Sequence, residues 1–353
     1  MTATLPLHSL LNDPARPPIV YHLGIDAGFF TEYTYMLHAM LFALRRGRRF
    51  CLYSADANFG VARGWTDYFL PFCQEVSEPF HSRYNRHAIP SLPTLLRRNP
   101  GRSPLDLAKW KLKVEAGHLI GHIKARQAYG RPTWLNADVD FRVDAPFPYA
   151  ELGLGDDYLT AFRTLVDLTW RFTPEVEHAV VDLTKQLRLP KDYIGCQLWG
   201  GDKVSEVSLT SPDALAEAIR RLPSHDDVFV LTDDYRLFEE LQSRHADIRW
   251  HTLCSPDERG YVNSAFTATS PERKRAQMVR FLASMRLLMQ SRHFVGSITP
   301  GPSLFLLKYL WPNATPQDCL PADFARAITL PIVERGRMAQ EFLKNHSNPL
   351  SRQ

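Results

Sequence analysis

Apolar residues in this chain fall into short blocks that alternate between continuous runs and helical spacing. The run IVYHL (Ile19 to Leu23) predicts a buried strand, and RFCLYS from Arg49 predicts another. Between them Met36, Leu37, Met40, Leu41 and Leu44 recur at helical spacing, which predicts a helix from about Glu32 to Arg46. Gly47 stands where a helix C-terminal cap belongs. Strand, the loop GIDAGFFTE, helix and strand follow one another in this order, as in a βαβ unit, and that connection implies parallel strands.

The second half repeats the alternation more cleanly. Strands are expected at IGCQL (194–198), VFVLT (228–232), IRWHT (248–252) and FVGSI (294–298). Helices are expected between them. SPDALAEAIRRL carries Ser211 as cap and Pro212 at its first position, and YRLFEELQSR follows the second strand. A long helix from Pro271 to Arg292 places Met278, Phe281, Leu282, Met285, Leu288 and Met289 on one face, and LFLLKYL closes the series. A long loop is expected after the strand IRWHT. Four strands alternating with helices predict a doubly wound sheet.

The middle of the chain is less regular. Residues 85–106 are rich in Pro, Arg and Ser and read mostly as loop. A helix is expected from Leu105 to Gln127, then a strand in TWLNADVDF. The helix TPEVEHAVVDLTKQL, capped by Thr173 with Pro174 next, is expected to bridge the halves. The fold class is therefore α/β, with two Rossmann-like domains over residues 1–170 and 171–335 and a tail at 336–353.

Composition narrows the class. The 353 residues exceed the usual size of one domain, and 44% hydrophobic with 23% charged residues is ordinary for a globular protein. The net charge of +4 is too small to argue by itself for nucleic acid or membrane binding. Cys51, Cys73, Cys196, Cys254 and Cys319 are odd in number, far apart and without zinc spacing, which points to a reducing, cytoplasmic compartment. The N-terminus lacks the pattern of a signal peptide, and no apolar run is long enough to span a bilayer.

Ligands of open parallel sheets bind beyond the carboxyl ends of the strands. That rule selects four loops: Trp199 to Glu206, Asp233 with Asp234, Ser255 to Asn263, and Thr299 to Ser303. In the first loop Gly200 and Gly201 allow close backbone approach, and Lys203 offers a charge for phosphate. Asp202 and Glu206 suit orienting hydroxyls or removing a proton; the same loop also reads as a solvated turn with a Lys–Glu pair. Asp234 reads first as the cap of the next helix, and the Asp233–Asp234 pair also suits sugar hydroxyls.

A rival reading rests on ADVDF. Asp138 and Asp140 lie one residue apart at a strand end, so both face one side of an extended chain. Nucleotide-sugar transferases of the GT-A type hold a divalent metal with such a pair. The motif is short, and the two carboxylates equally read as exposed positions beside a strand. The 13 histidines form no HExxH-like pattern.

Four segments in order carry a resemblance. These are GWTDYFLPF (64–72), IGCQLWGGDKV (194–204), VFVLTDD (228–234), and the helix from Pro271 followed by FVGSITPGPS. Together they resemble the fucosyltransferase superfamily with a GT-B-like fold, most like the core α1,6-fucosyltransferases and the rhizobial nodulation fucosyltransferase. The resemblance runs from about Gly24 to Leu310. It implies two domains facing a cleft, with the acceptor on the side of the first and the nucleotide sugar in the second. It implies an inverting, metal-independent transfer that uses GDP-fucose as co-substrate and no bound cofactor. Glu206, or Asp202, would act as base. Asp202, Lys203, Asp233 and Asp234 match the family's donor-site positions, and Gln197, Trp199, Gly200, Gly201, Ser297, Thr299 and Ser303 are the further candidates on the donor side. Gly28, Glu32 and Asp67 are the candidates on the acceptor side.

The chain also departs from the family. Where relatives carry a pair of arginines on the donor pyrophosphate, this chain has Trp199 and Gly200, and the family's strand-end His is Gln197. Loss of a bidentate arginine contact costs about 2–5 kcal/mol. The acid that reads guanine in relatives is absent where Ser284 and Met285 stand. Arg259, Lys274 and Arg280 are candidates to restore charge from elsewhere in the chain, and Trp199 offers a stacking face. Two alternatives stay open: a degenerate member that binds a glycan or protein without transfer, and a transferase with another nucleotide-sugar donor.

Overall fold

The structure is a computed structural model that describes residues 6–24, 28–85, 92–131, 133–135, 147–200, 211–330 and 332–346. The chain divides into two compact units, Met1–Thr173 and Pro174–Gln353. Each is an α/β unit around its own parallel sheet.

In the first unit the strands are β1 (Pro18–His22), β2 (Arg49–Tyr53), β3 (Gln74–Glu75) and β4 (Thr133–Leu135). They stand in the order β3-β2-β1-β4, every neighbouring pair parallel. The crossover helix Phe29–Arg45 begins three residues before the expected Glu32. Phe29 and Phe30 are buried, so the apolar face extends back to Gly28, which caps the helix in an extended conformation. Gly47 ends it with φ of 59°, a torsion that a side chain resists. The expected loop at 85–106 contains the helix Leu92–Arg98. Pro93 hid it, although proline is tolerated in a first helical turn. The next helix, Pro104–Tyr129, agrees with the expected one within two residues.

In the second unit the strands are β5 (Ile194–Gln197), β6 (Asp227–Leu231), β7 (Arg249–His251), β8 (His293–Gly296) and β9 (Ala314–Pro316). Their order is β7-β6-β5-β8-β9, again all parallel. The fifth strand is an addition to the four expected. It is three residues long and ends in a proline, which only a sheet edge accommodates. Ile194, Cys196, Val228, Phe229, Val230, Phe294 and Val295 are fully buried, as strands covered on both faces require. Gly195 lets the helix Pro271–Gln290 approach: a Cβ there would stand 2.8 Å from both Leu288 Cδ2 and Ser291 Oγ.

Ser211 caps its helix as expected, and Ser270 caps another for which no cap was expected. Ser211 Oγ accepts from the Ala214 N–H at 3.1 Å, and Ser270 Oγ accepts from the Arg273 N–H at 3.3 Å. The helix Pro174–Gln186, expected as a bridge between halves, belongs to the second unit. It packs on Pro271–Gln290, where Arg286 donates to both Glu177 oxygens at 2.6 and 2.5 Å. That bidentate pair holds the Glu177 carboxyl below its ordinary value. The expected loop after β7 carries a short helix, Asn263–Ala268.

Candidate functional site

β5 is the central strand from which the second sheet winds both ways, with β6 on one side and β8 on the other. A crevice at such a switch point is where open sheets bind ligands. The chain leaves β5 through Gln197, Leu198, Trp199 and Gly200. Gln197 is 6% exposed, yet among the described residues neither its amide oxygen nor its amide nitrogen has a hydrogen-bond partner. Such a group costs on the order of 1–3 kcal/mol when left unsatisfied. The Trp199 indole N–H is likewise buried without an acceptor. Among the described residues these polar groups at the switch point have no internal task.

The exit of β6 explains how Gly200 is held. One Asp233 carboxylate oxygen accepts from the Gly200 N–H at 2.7 Å, and the other accepts from the Tyr261 N–H at 2.8 Å. Its carbonyl accepts from the Gly260 N–H at 2.9 Å. Burial pushes the Asp233 carboxyl above its ordinary value, while the two amides pull it back. A Cβ on Gly200 would lie 3.0 Å from the Asp234 Cβ, so glycine fits this approach without displacing its neighbours. Asp234 caps the helix Tyr235–Arg244, accepting from the Arg236 N–H at 3.0 Å. The Arg236 guanidinium also pairs with it and holds it below the ordinary carboxylate value. The two carboxylates expected to face sugar hydroxyls thus each carry a task inside the protein.

The exit of β8 is built around a residue absent from the expected set. Asp318, 2% exposed, accepts from the Ile298 N–H at 2.8 Å and from the Ser297 hydroxyl. Ser297 and Thr299 hydroxyls lie 2.8 Å apart. Burial raises the Asp318 carboxyl, and the Ser297 hydroxyl and Ile298 amide oppose the rise. Asp318 follows β9, the edge strand that the apolar pattern did not reveal, so no local signal pointed to it. The helix Gly301–Leu310 starts here, with Pro300 before it and no side-chain cap. Ser303 sits in its first turn, 0% exposed, with a hydroxyl that has no partner. A Cβ on Gly296 would stand 2.2 Å from that hydroxyl oxygen, so glycine makes the room for Ser303. An uncapped helix start beside an unpartnered hydroxyl is suited to an anion.

The cations considered as replacements for the missing arginines are occupied. Arg280 pairs with Glu258 at 3.1 Å, and Glu258 also accepts from the Ser255 N–H at 2.8 Å. Arg259 donates to the Glu258 carbonyl at 3.0 Å, and Lys274 lies 5.7 Å from the Phe266 ring centre. Ser284 donates to the Arg280 carbonyl at 3.0 Å, and Met285 is fully buried, so both belong to the core.

In the first unit the acceptor-side candidates differ from one another. Gly28 is exposed at its helix start, with open space around a built Cβ. Glu32 is fully buried. Asp67 is 4% exposed, and one of its oxygens accepts from four amides, those of Val61, Ala62, Arg63 and Gly64, at 2.7 to 3.0 Å. It organises its own loop. At the carboxyl ends of β1 and β2 lies a cluster that the expected set omitted. His22 Nε2 meets Asp56 at 2.8 Å, Ser82 donates to the other Asp56 oxygen at 2.8 Å, and His81 meets the Tyr129 hydroxyl at 2.9 Å. Burial lowers the His81 imidazole to about 4, against the nearby carboxylates of Glu78 and Asp56. The strand-end rule, applied to the first half, selects His22.

Gly201, Asp202, Lys203 and Glu206 lie outside the described residues, as do Asp138 and Asp140. Among the described residues no group of three His, Cys, Asp or Glu side chains could hold a metal ion.

No family model matches this chain, and no curated protein does. Solved structures do match. A mutant of Arabidopsis thaliana FUT1 in complex with GDP is 14% identical, with 83% of this chain and 68% of that one covered and a TM-score of 0.50. The fucosyltransferase NodZ from Bradyrhizobium is 13% identical over 82% of this chain and 92% of its own, with a TM-score of 0.47. POFUT1 in complex with GDP-fucose is 12% identical over 85% and 95%, with a TM-score of 0.43. At such identities the likeness is one of fold, and the FUT1 match carries it. The chain has a fucosyltransferase-like GT-B fold.

Proposed function

We propose that this protein is a glycosyltransferase that binds a nucleotide sugar at the carboxyl edge of the second sheet. It moves fucose or a related sugar to a hydroxyl of a glycan, peptide or small molecule. The observation that carries this reading is Gln197, a buried amide with no partner at the switch point between β5 and β8. Trp199 and Ser303 add two further unpartnered groups at the ends of the same strands. The fold adds support, because the FUT1 structure was solved with GDP. GDP-fucose is the donor that the sequence resemblance favours.

The chemistry is a single inverting displacement. The acceptor oxygen attacks the anomeric carbon, the bond from that carbon to the diphosphate oxygen breaks, and the nucleoside diphosphate leaves. Glu206, or Asp202, takes the proton from the acceptor hydroxyl. The uncapped start of the helix Gly301–Leu310, with Lys203, steadies the charge on the leaving diphosphate. Trp199 supplies a face for the base or sugar in place of an arginine. No metal is assigned a step. Five free cysteines fit a cytoplasmic location.

Calorimetry against nucleoside diphosphates and their sugars tests the proposal, followed by a transfer assay in chelator. Absence of binding to every diphospho-nucleotide would sink it. A second reading, binding without transfer, is favoured by the engagement of Arg280 and Arg259 elsewhere, which leaves the arginine pair unreplaced among the described residues. Turnover that disappears in Glu206→Gln while donor binding persists would dismiss that second reading.

A further inference from the structure

The helix Pro104–Tyr129 has two apolar faces. Leu107, Gly121 and Ala125 form the buried one, turned toward the helices Phe80–Asn85 and Leu92–Arg98 that it packs on. At 3.6 residues per turn, Leu105, Leu112, Ala116, Leu119 and Ile123 line up within an arc of about 60° on the opposite side. Leu105, Leu112 and Leu119 are 63%, 68% and 64% exposed, and Ile123 is 52% exposed. The stripe is about 27 Å long at the helical rise per residue. Leu92 and Leu96 on the neighbouring helix are exposed as well. An exposed apolar stripe of this length marks a docking face.

Charge identifies the occupant. Residues 92–131 hold nine Lys or Arg against two Asp or Glu, a net of +7, whereas the whole chain is +4. The remaining 313 residues are therefore at −3, and the excess positive charge falls in the segment that carries the stripe. Lys113 and Lys124 stand exposed on one flank with Asp106, Arg126 stands on the other with Glu115, which pairs with Lys111, and Lys109 lies at the edge of the stripe. A second copy would bring the same positive charges against themselves. An anionic bilayer brings apolar depth for the leucines and opposite charge for the rim. Among the described residues no helix is long and apolar enough to cross a membrane, so this one would lie along the surface.

We propose that the face formed by Leu105, Leu112, Leu119 and Ile123, rimmed by Lys113, Lys124 and Arg126, docks this protein on an anionic lipid surface. The inference stands apart from the reading of the second unit, because its test measures binding and not transfer.

The test is co-sedimentation of the full chain with vesicles of phosphatidylcholine alone and of phosphatidylcholine with phosphatidylglycerol. Binding to the mixed vesicles is expected, with little to the neutral ones. The double variant Leu112→Gln/Leu119→Gln should lower that binding about tenfold or more, since burial of apolar area drives insertion. Both positions are largely exposed, so circular dichroism should be unchanged. Lys113→Glu/Lys124→Glu should lower it independently, as should added salt. No binding to mixed vesicles, or binding indifferent to both double variants, would overturn the proposal. So would a dimer in solution that the leucine variant converts to monomer, which would assign the stripe to a second copy.

Discussion

The Asp233 carboxylate and the Gly200 amide meet at 2.7 Å, joining the exit of β6 to the exit of β5. With the Tyr261 amide on its other oxygen, Asp233 ties the exit of β5 to the loop that follows β7. Asp233→Ala leaves both amides without their acceptor and should lower stability by about 1–3 kcal/mol. Nucleotide affinity should fall with it, and Asp233→Asn should fall between the two. Urea denaturation and calorimetry measure both effects. An alanine variant as stable as the parent would show that these amides find other partners.

Gln197 predicts an opposition between stability and binding. Gln197→Leu removes two buried, unpartnered polar atoms at nearly constant volume. The variant should be more stable by about 1–3 kcal/mol and should lose nucleotide binding by more than tenfold. A destabilised variant with unchanged binding would assign Gln197 to the core.

Trp199 predicts an optical signal. If a base or sugar packs on its half-buried ring, nucleotide addition should change tryptophan fluorescence, and Trp199→Phe should remove most of that change. Trp199→Arg should strengthen binding of GDP-fucose if the position has kept the geometry of the family's clamp. Unaltered affinity and fluorescence in both variants would take Trp199 out of the site.

Lys308 predicts a pH dependence. It is 3% exposed, and burial, with the charge of Arg335, lowers its ammonium from 10.5 to about 7. Between these values the unfolded chain binds the proton and the folded chain does not. This residue therefore makes stability rise with pH across that window. Its cost is full below about pH 7, on the order of 4–5 kcal/mol, and fades by about pH 10.5. Lys308→Met should be more stable than the parent at pH 7, with an advantage that shrinks at pH 8 and 9. A difference independent of pH would contradict the assignment.

Much of the architecture was legible because buried parallel strands announce themselves as continuous apolar runs, as β5, β6 and β8 do. The caps Ser211 and Asp234 were legible for a local reason, a short polar side chain just ahead of a helical period. β9 and the helix Leu92–Arg98 were not, since three residues carry no period and prolines mask a helix start. The site was legible in part. The strand-end rule selected the loops that hold Trp199, Asp233 and Thr299, but a rule about position says nothing about which atoms are already bonded. The double use of Asp233 and the engagement of Asp67 by four amides appear only when the backbone closes on them. Asp318 reaches Ser297 and Ile298 from 21 and 20 residues away, a distance no local pattern spans.

Hydrogen exchange of the intact protein, with and without GDP-fucose, tests the placement of the donor most directly. Binding at the switch point predicts slowed exchange in residues 194–200, 231–236 and 296–304, with that slowing lost in Gln197→Leu. Protection absent from these segments, or confined to strands β1 and β2 of the first unit, would contradict the account.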